Sequence, residues 1–360
     1  METNELYLKL FEHLNEFILG LPQGPTAIQI LKVVFPPEEA EIALTLPMMD
    51  TRLSDLTALY PKTENLEEML DRMVDRGTVF CNQKPGQEKV YRLLSALGGW
   101  IETPFWGGKD TPLARDMAPL FKKARTQEFS DELSRGVPMV RVIPVSESLL
   151  NSTEVLPYDE LVPKIKAASY RAVAHCVCRQ ASKLLDEGCE HTLENCLHFG
   201  TFARFMVKHD MAREITYDET IEILEKSRQE GLVHVANNMD DAVESICNCC
   251  TCGDCYWLVT VKEMNRGVLL PSNYVAEVNE DNCSICGACE ERCPMDAIVV
   301  GDGDCAVVNA DDCIGCGVCT PTCDDEAVKL VLRETVKTPP NMMEWASMRM
   351  EALKQRRNKS

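Results

Sequence analysis

The sequence lacks several features that define common protein classes. It contains no stretch of about 18 consecutive apolar residues, which argues against a membrane-spanning helix. Its acidic first residues, Met-Glu-Thr-Asn-Glu, differ from the basic start of a secretory signal peptide. It has no glycine-rich nucleotide fingerprint, no P-loop and no Cys-x-x-Cys-His haem motif. We therefore expect a cytoplasmic protein without a membrane span, a nucleotide fold or a c-type haem.

Positive charge is also scarce. The 360 residues include 37 Lys plus Arg and 57 Asp plus Glu, a formal net charge of −20. Such a polyanion is a poor general binder of nucleic acid, because recognition of phosphates needs cations. Hydrophobic residues make up 45% of the chain, which indicates folded domains rather than disorder. The length allows about two or three such domains.

Cysteine is rare in the first half of the chain and abundant in the second. Only Cys81 lies in the first 175 residues, and the other 18 of the 19 cysteines follow it. A chain of this length does not need disulfides for stability, the count is odd, and the spacings are those of metal ligands. The pattern predicts reduced thiolates that hold metal, with a metal-free front third.

The first hundred residues predict short amphipathic helices followed by a β-hairpin. Two apolar runs, 78–81 and 89–93, flank a turn with the sequence Lys-Pro-Gly. This order resembles a winged helix over about residues 20–95. The recognition-helix position, 65–76, has four acidic residues and two arginines, and residues 1–100 have a net charge of −6. Because DNA recognition needs cations, we favour a protein-docking or structural role.

The middle of the chain has two groups of cysteines. The first group offers four thiolates, enough for a cubane cluster or a structural zinc, and consists of Cys176, Cys178, Cys189 and Cys196. The second group has five cysteines in nine residues, of which crowding leaves four as ligands, and consists of Cys247, Cys249, Cys250, Cys252 and Cys255. We predict a third and a fourth cluster at these groups.

Several alternatives for the middle stay open. Cysteines of the first group can cross to complete a site made by the second group. The middle can hold one cluster instead of two. Zinc can also take the place of an iron-sulfur cluster. The block from about 157 to 258 resembles a segment of multidomain ferredoxin-like proteins of anaerobes, which supports metal binding without naming a reaction. His175, His191 and His198 flank the cysteines, and we expect each to bond to sulfur or to lie at the surface.

The last nine cysteines include two copies of one motif. Cys-x2-Cys-x2-Cys-x3-Cys begins at Cys283 and again at Cys313, 30 residues later. The repeat resembles a bacterial two-[4Fe-4S] ferredoxin over about residues 274–333. The resemblance implies that the fourth cysteine of each run ligates the other cluster. The implied ligand sets are Cys283, Cys286, Cys289 and Cys323 for one cluster, and Cys313, Cys316, Cys319 and Cys293 for the other.

Two departures from the ferredoxin pattern keep all eight ligands. Asp324 stands where a proline is usual, and Ser284-Ile285 stands where Ile-Gly is commoner. Cys305, between the motifs, reads as a spare thiol. Residues 277–333 include 13 acidic and 3 basic residues, and an acidic surface of this kind attracts a basic partner. The tail, 336–360, instead has a net charge of +4. The tail therefore suits either an acidic partner subunit or a position folded back on this chain.

Together these patterns predict an α+β protein. The segments are a winged-helix-like domain (1–97), a connector with a helix (98–156), an α/β cysteine-rich metal-binding domain (157–272), a dicluster ferredoxin domain (273–335) and a basic, Met-rich tail (336–360). We expect a non-catalytic electron-transfer subunit that relays single electrons through two to four [4Fe-4S] clusters to a redox partner or a catalytic oxidoreductase subunit. Two alternatives remain: a redox-sensing regulator that binds DNA, and an enzyme with an open iron site.

Overall fold

The structure is a computed structural model in which helices and strands are both abundant. It describes residues 3–15, 19–21, 24–61, 63–128, 130, 133–134, 136–145, 157–252, 255, 257–264, 266–301, 303–333, 336 and 338–357. The predicted mixture of α and β structure is confirmed. Among these residues, none of the helices combines the length and the apolar character needed to cross a bilayer.

The first part of the chain consists of short helices and a small antiparallel sheet. The helices are α1 (Thr3–Leu14), α2 (Pro25–Val34), α3 (Pro37–Ala43), α4 (Leu53–Leu59) and α5 (Leu66–Arg76). The strands are β1 (Thr51–Arg52), β2 (Val79–Asn82) and β3 (Val90–Leu93), in the order β1-β3-β2. Gly77 ends α5 in the left-handed conformation, with φ 77°, and turns the chain into the hairpin.

The small sheet and α5 pack against the middle of the chain. The ring of Phe80 lies 4.9 Å from the ring of Phe205, centroid to centroid. A carboxylate oxygen of Asp75, on α5, lies 3.2 Å from Nδ1 of His209. The surface of the helix in the recognition position is thus partly covered by this chain itself.

The segment after the hairpin is packed rather than loose. It contains α6 (Thr103–Trp106) and α7 (Pro112–Gln127). Thr111 caps α7, since its Oγ1 accepts a hydrogen bond of 3.1 Å from the amide of Ala114. Trp100 and Trp106 are 1% and 3% exposed. The two tryptophans therefore belong to the core that joins the front of the chain to the middle.

A seven-stranded sheet with the order β10-β4-β8-β9-β6-β5-β7 forms the centre of the protein. Its strands are β4 (Val140–Ile143), β5 (Arg171–His175), β6 (Glu194–Phe199), β7 (Arg213–Glu214), β8 (Val233–Asn237), β9 (Ser245–Cys249) and β10 (Leu269–Leu270). All neighbours are antiparallel except β10 and β4. The helices are α8 (Pro157–Ala167), α9 (Val177–Lys183), α10 (Gly200–Lys208), α11 (Tyr217–Gln229) and α12 (Leu258–Glu263). The sheet thus takes β4 from the segment expected to be a connector.

The cysteine motifs near the end of the chain lie in a small, internally repeated unit. Its elements are β11 (Tyr274–Val278), α13 (Ala288–Arg292), β12 (Ile298–Val299), β13 (Val307–Val308) and β14 (Val328–Leu332). β11 pairs with β14, and β12 pairs with β13, both antiparallel. A short hairpin, β12 and β13, therefore lies between the two motifs.

The tail folds back as a helix, α14 (Met342–Arg357). The side chains of Trp345 and Arg349 are 2% and 0% exposed. The indole Nε1 of Trp345 donates a hydrogen bond of 3.1 Å to the carbonyl of Pro138, just before β4. Of the two positions expected for the tail, the structure shows the one against its own chain.

Replacement of Trp345 by alanine is expected to destabilise the protein by about 3–5 kcal/mol, because a large buried side chain leaves a cavity. The midpoint of anaerobic urea unfolding would measure this loss. Met343 lies on the same helix and is 80% exposed, so Met343→Ala is the matched control and should change stability by less than about 0.5 kcal/mol. Equal midpoints for the two variants would contradict the packed position of α14.

Candidate metal centres

The eight motif cysteines line two separate pockets in the repeated unit. One pocket is lined by Cys283, Cys286, Cys289 and Cys323. The other is lined by Cys293, Cys313, Cys316 and Cys319. The fourth cysteine of each run therefore lies with the first three of the other run, as the ferredoxin resemblance implies. Cys305 lines neither pocket.

Backbone amides point at cysteine sulfurs in both pockets, and the two pockets match. In the first, the amide of Ala327 donates to Sγ of Cys323 at 3.2 Å. In the second, the amide of Ala297 donates to Sγ of Cys293 at the same distance. Weaker N–H contacts of 3.5 Å reach one further sulfur in each pocket, namely Cys283 from Ala306 and Cys313 from Ala276. Such donors stabilise thiolates, so the residues fit a metal-sulfur cluster.

The loops that wrap the two pockets use the same left-handed positions. In the second loop, Gly315 and Gly317 have φ of 66° and 73°. In the first loop, Ile285 and Gly287 have φ of 60° and 79°. The departure noted in the sequence thus puts a β-branched residue where the fold requires a left-handed backbone, which is a strained arrangement.

Replacement of Ile285 by glycine is expected to stabilise the first loop by about 1 kcal/mol, because glycine removes the left-handed strain of a side chain that is 42% exposed. Slower loss of the charge-transfer absorbance in anaerobic guanidinium would show the gain. Val299→Ala removes a similar exposed side chain from an ordinary strand and serves as the control. A faster loss in Ile285→Gly than in the control would refute the strain.

The two ferredoxin-type sites differ in exposure. Cys286 of the first site is exposed, and its neighbour Ile285 is too. Cys316 and Cys319 of the second site are buried, and burial raises the pKa of Cys316 to about 12. The carbonyl of Cys316 accepts a hydrogen bond of 3.0 Å from the amide of Val145, beside β4. The first site therefore faces outward, and the second faces the middle of the protein.

Seven cysteines of the middle line one buried cavity, which we call the thiol chamber. One of them is Cys250, and the other six are Cys176, Cys178, Cys196, Cys247, Cys249 and Cys255. The turn from β5 to α9 delivers the first two, β6 and β9 deliver the next three, and the loop before α12 delivers the last. Trp106 and Trp257, both buried, also line the cavity. The two groups that are separate in the sequence thus meet at one site, which is the crossing arrangement left open above.

The thiols of the chamber contact one another in a continuous series. Each neighbouring pair in the series is joined by a hydrogen bond between thiols, not by a disulfide. The pairs are Cys176 and Cys178, Cys178 and Cys255, Cys255 and Cys249, Cys249 and Cys247, and Cys247 and Cys196. Hydrogen bonds that Cys249 donates to Cys247 and Cys255, together with burial, raise the pKa of Cys249 well above its usual value. Burial also opposes ionisation of Cys255, but bonds from Cys178 and Cys249 outweigh it and lower that pKa to about 6. Six buried thiols cannot all ionise without a cation, so this donor set fits a metal cluster.

His198 lies at the wall of the chamber rather than in the series of thiols. Its Nε2 is 3.3 Å from Sγ of Cys196, and its ring packs against Trp106 with a centroid distance of 5.5 Å. Burial lowers the pKa of His198 to about 4, so the ring is neutral at physiological pH. The hydrogen bond to sulfur that the sequence suggests for this histidine is therefore present.

A second, smaller group of middle cysteines adjoins the chamber and shares Cys250 with its lining. Cys189, Cys250 and Cys252 lie with His191, and their four ligand atoms are all within 4.8 Å of one another. Sγ of Cys189 is 3.9 Å from Sγ of Cys250. The division by sequence order, which placed Cys189 with Cys176, Cys178 and Cys196, is not the division that the structure makes. α9 lies between Cys178 and Cys189 along the chain, and the loop after β9 brings Cys252 and the chamber-lining Cys250 to Cys189.

Arg179 connects the two groups and was not singled out as a functional residue from the sequence. Its guanidinium is 1% exposed and donates to the carbonyls of Asn248 and Thr192, at 3.2 and 2.8 Å. It also donates to Oδ1 of Asn195 at 2.6 Å and lies 3.6 Å from Sγ of Cys250. An arginine directly after a Cys-x-Cys pair is the only sequence signal for this position.

Comparison with known proteins supports the ferredoxin-type site. A family model described as a 4Fe-4S binding domain matches residues 276–299, which contain four of the motif cysteines. Neither the curated proteins nor the solved structures include a match to this chain. The chain therefore contains a ferredoxin-type, iron-sulfur binding domain, and its cysteines indicate metal binding and electron transfer.

Proposed function

We propose that this protein is an electron-transfer subunit in which the ferredoxin-type unit holds two [4Fe-4S] clusters and the thiol chamber holds a third iron-sulfur cluster. The observation that carries the proposal is the order of the sites in space. The first cysteine set is at the surface, the second is buried against the middle of the chain, and the thiol chamber lies in that middle. Three redox sites ordered in this way suit a relay between an external partner and the interior.

The second set and the chamber share one apolar core. Ile314, Cys316 and Val318 of the second loop belong to the same buried cluster as Cys255 and Trp257. No layer of water or of charged side chains is needed between the two sites. Transfer of single electrons between buried centres requires a short path through packed side chains, and the proposal places that path in this shared core.

Polar contacts hold the ferredoxin-type unit in place on the middle. Nζ of Lys262 lies 2.6 Å from a carboxylate oxygen of Asp296. The guanidinium of Arg292 donates to the carbonyls of Arg228 and Gln229, at 3.0 and 2.5 Å, at the end of α11. These contacts hold the segment around Cys293, a cysteine of the second site, against the middle of the chain.

The clusters would supply reversible one-electron oxidation and reduction. The residues of the chain do the rest. Amides directed at sulfur stabilise the charge of the ligands, and the tryptophans of the chamber exclude water. Cys286 brings one ligand to the surface, so that a partner can approach within contact distance.

The face around the first site favours a basic partner. The ferredoxin-type unit has a net charge of −10 over residues 277–333. Exposed acidic side chains near the first site include Glu280, Asp281 and Asp325. Long-range attraction of this kind accelerates encounter more than it tightens binding. We infer that the donor or acceptor presents a basic surface to Cys286.

We propose that the front of the chain is a winged-helix-like module for protein docking or structural support, and not a DNA-binding domain. The exposed residues of α5 are Glu67, Glu68, Arg72 and Asp75, three acids and one base. Asp75 is already in contact with His209. This surface would repel phosphates, so the DNA-binding regulator is not favoured.

Anaerobic purification, analysis of iron and acid-labile sulfide, and a reductive titration followed by electron paramagnetic resonance test the proposal. We expect about 12 iron and 12 sulfide per chain and three reducible centres. Cys286→Ala and Cys316→Ala should each lose about four iron, and Cys305→Ser is the control. Iron confined to the ferredoxin-type unit, about eight per chain, would contradict the third cluster and the relay into the middle.

A further inference from the structure

We propose that Cys189, His191, Cys250 and Cys252 form a separate mononuclear zinc site that closes the wall of the thiol chamber. From the sequence, the three cysteines were expected to be cluster ligands, and His191 was expected to bond to sulfur or to lie at the surface. The structure assigns the histidine to the ligand set. The site is independent of the clusters in the proposed function, so each can fail without the other.

The spacing of the ligand atoms favours one ion over a cluster. Four ligands that share a tetrahedral zinc, with Zn–S of about 2.3 Å, have sulfurs about 3.8 Å apart. Cys189 and Cys250 have their sulfurs 3.9 Å apart, and all four ligand atoms lie within 4.8 Å. A cubane binds its ligands through four different irons, which keeps the sulfurs farther apart. In the described part of the chain, neither ferredoxin-type pocket forms a group this tight.

The surroundings of His191 suit a metal ligand. Nδ1 of the ring lies 3.6 Å from a carboxylate oxygen of Glu230, at the end of α11. A facing carboxylate favours the tautomer with the proton on that nitrogen, which leaves Nε2 with a lone pair for zinc. Glu230 is itself held by the amide of Thr192, at 2.9 Å, so its orientation is fixed.

The buried charge of Arg179, which lies between this site and the thiol chamber, is a second indication. Among the described residues, no carboxylate pairs with this guanidinium, although it is 1% exposed, and its Nε has no hydrogen-bond partner. A buried cation needs a nearby anion. Zn²⁺ with three thiolates and a neutral imidazole has a net charge of −1. One such site, with Cys250 at 3.6 Å, would supply the missing anion.

The position of the site indicates its role. It joins the loop after α9, which carries Cys189 and His191, to the loop after β9, which carries Cys250 and Cys252. In the sequence, Cys249 and Cys255 of the chamber flank Cys250 and Cys252 of the loop after β9. Zinc would therefore hold the loop closed over the chamber, and its loss would admit solvent and oxygen to the cluster.

The test is zinc analysis of the full-length, anaerobically purified protein, followed by X-ray absorption at the zinc edge. We expect about one zinc per chain, coordinated by three sulfurs and one nitrogen. His191→Ala should abolish this zinc, His191→Cys should restore it with four sulfurs, and Glu230→Gln should weaken zinc retention against a chelator by about 10- to 100-fold. Cys305→Ser is the matched control and should keep the zinc.

Two further readouts separate this proposal from the proposed function. His191→Ala should bleach several-fold faster in air than the control at the absorbance of the chamber cluster, while the iron content before exposure stays at about 12. The proposal is overturned if reconstitution with iron and sulfide displaces the zinc and raises the iron to about 16, with His191→Ala losing four of those irons. That result would mean a fourth cluster and would leave the relay intact.

Discussion

Arg179→Met is expected to destabilise the protein by about 3–5 kcal/mol and to empty the middle of the chain of metal. The substitution keeps the length of the side chain but removes the donors to Asn248, Thr192 and Asn195. Three acceptors, two of them buried, would then each lose a hydrogen bond, and the thiolate of Cys250 would lack its nearest cation. The ferredoxin-type sites, which Arg179 does not contact, should keep their iron.

The anaerobic urea midpoint, together with zinc and iron per chain, measures this effect. Arg213→Met is the matched control, because Arg213 forms ion pairs with Glu194 and Glu219 but is 49% exposed. Exposed pairs of this kind contribute about 0–1 kcal/mol. Arg179→Lys keeps the charge but not the planar set of donors, so it should fall between the two. The role of Arg179 would be refuted if Arg179→Met kept its metal and had the same urea midpoint as Arg213→Met.

Gly315→Ala is expected to abolish the second ferredoxin-type site, with a loss of about four iron per chain. Gly315 has φ of 66°, and a Cβ there would lie 2.2 Å from both Oγ of Ser272 and the carbonyl oxygen of Tyr274. The Tyr274 carbonyl belongs to β11, and Oγ of Ser272 donates to the Gly315 carbonyl at 2.7 Å, so neither atom can move away cheaply. The loop would have to leave the pocket.

A matched glycine separates steric exclusion from backbone strain. Gly287 has φ of 79°, but a Cβ there has no atom within 4 Å. Gly287→Ala should therefore cost only the left-handed strain, about 1–2 kcal/mol, and should keep its iron. Gly301→Ala has neither strain nor contact and should behave as the unsubstituted protein. Equal loss of iron in the Gly287 and Gly315 variants would show that close packing against β11 is unimportant.

Some of these features can be predicted from residues that lie close together in the sequence. The hairpin after Gly77 follows from a helix stop, two apolar runs and a Pro-Gly turn, all within about 20 residues. The apolar run before Cys176 is typical of a strand, and in a strand the two thiols of a Cys-x-Cys pair would lie on one face. In the structure the strand ends at His175 and Cys178 lies in the first turn of α9, so a turn rather than strand alternation brings the two thiols together.

The sequence by itself determined the chemistry of the last third, because each ferredoxin-type ligand run spans only eleven residues and its spacing fixes how the loop can wrap. It did not determine the sites of the middle, where the ligands come from the turn between β5 and α9, from β6 and β9, and from the loops after α9 and β9. Cys189 and Cys178 are eleven residues apart, yet they belong to different groups, because α9 carries the chain away from the chamber. Only the sheet order, which sets β9 beside β6, decided which thiols meet.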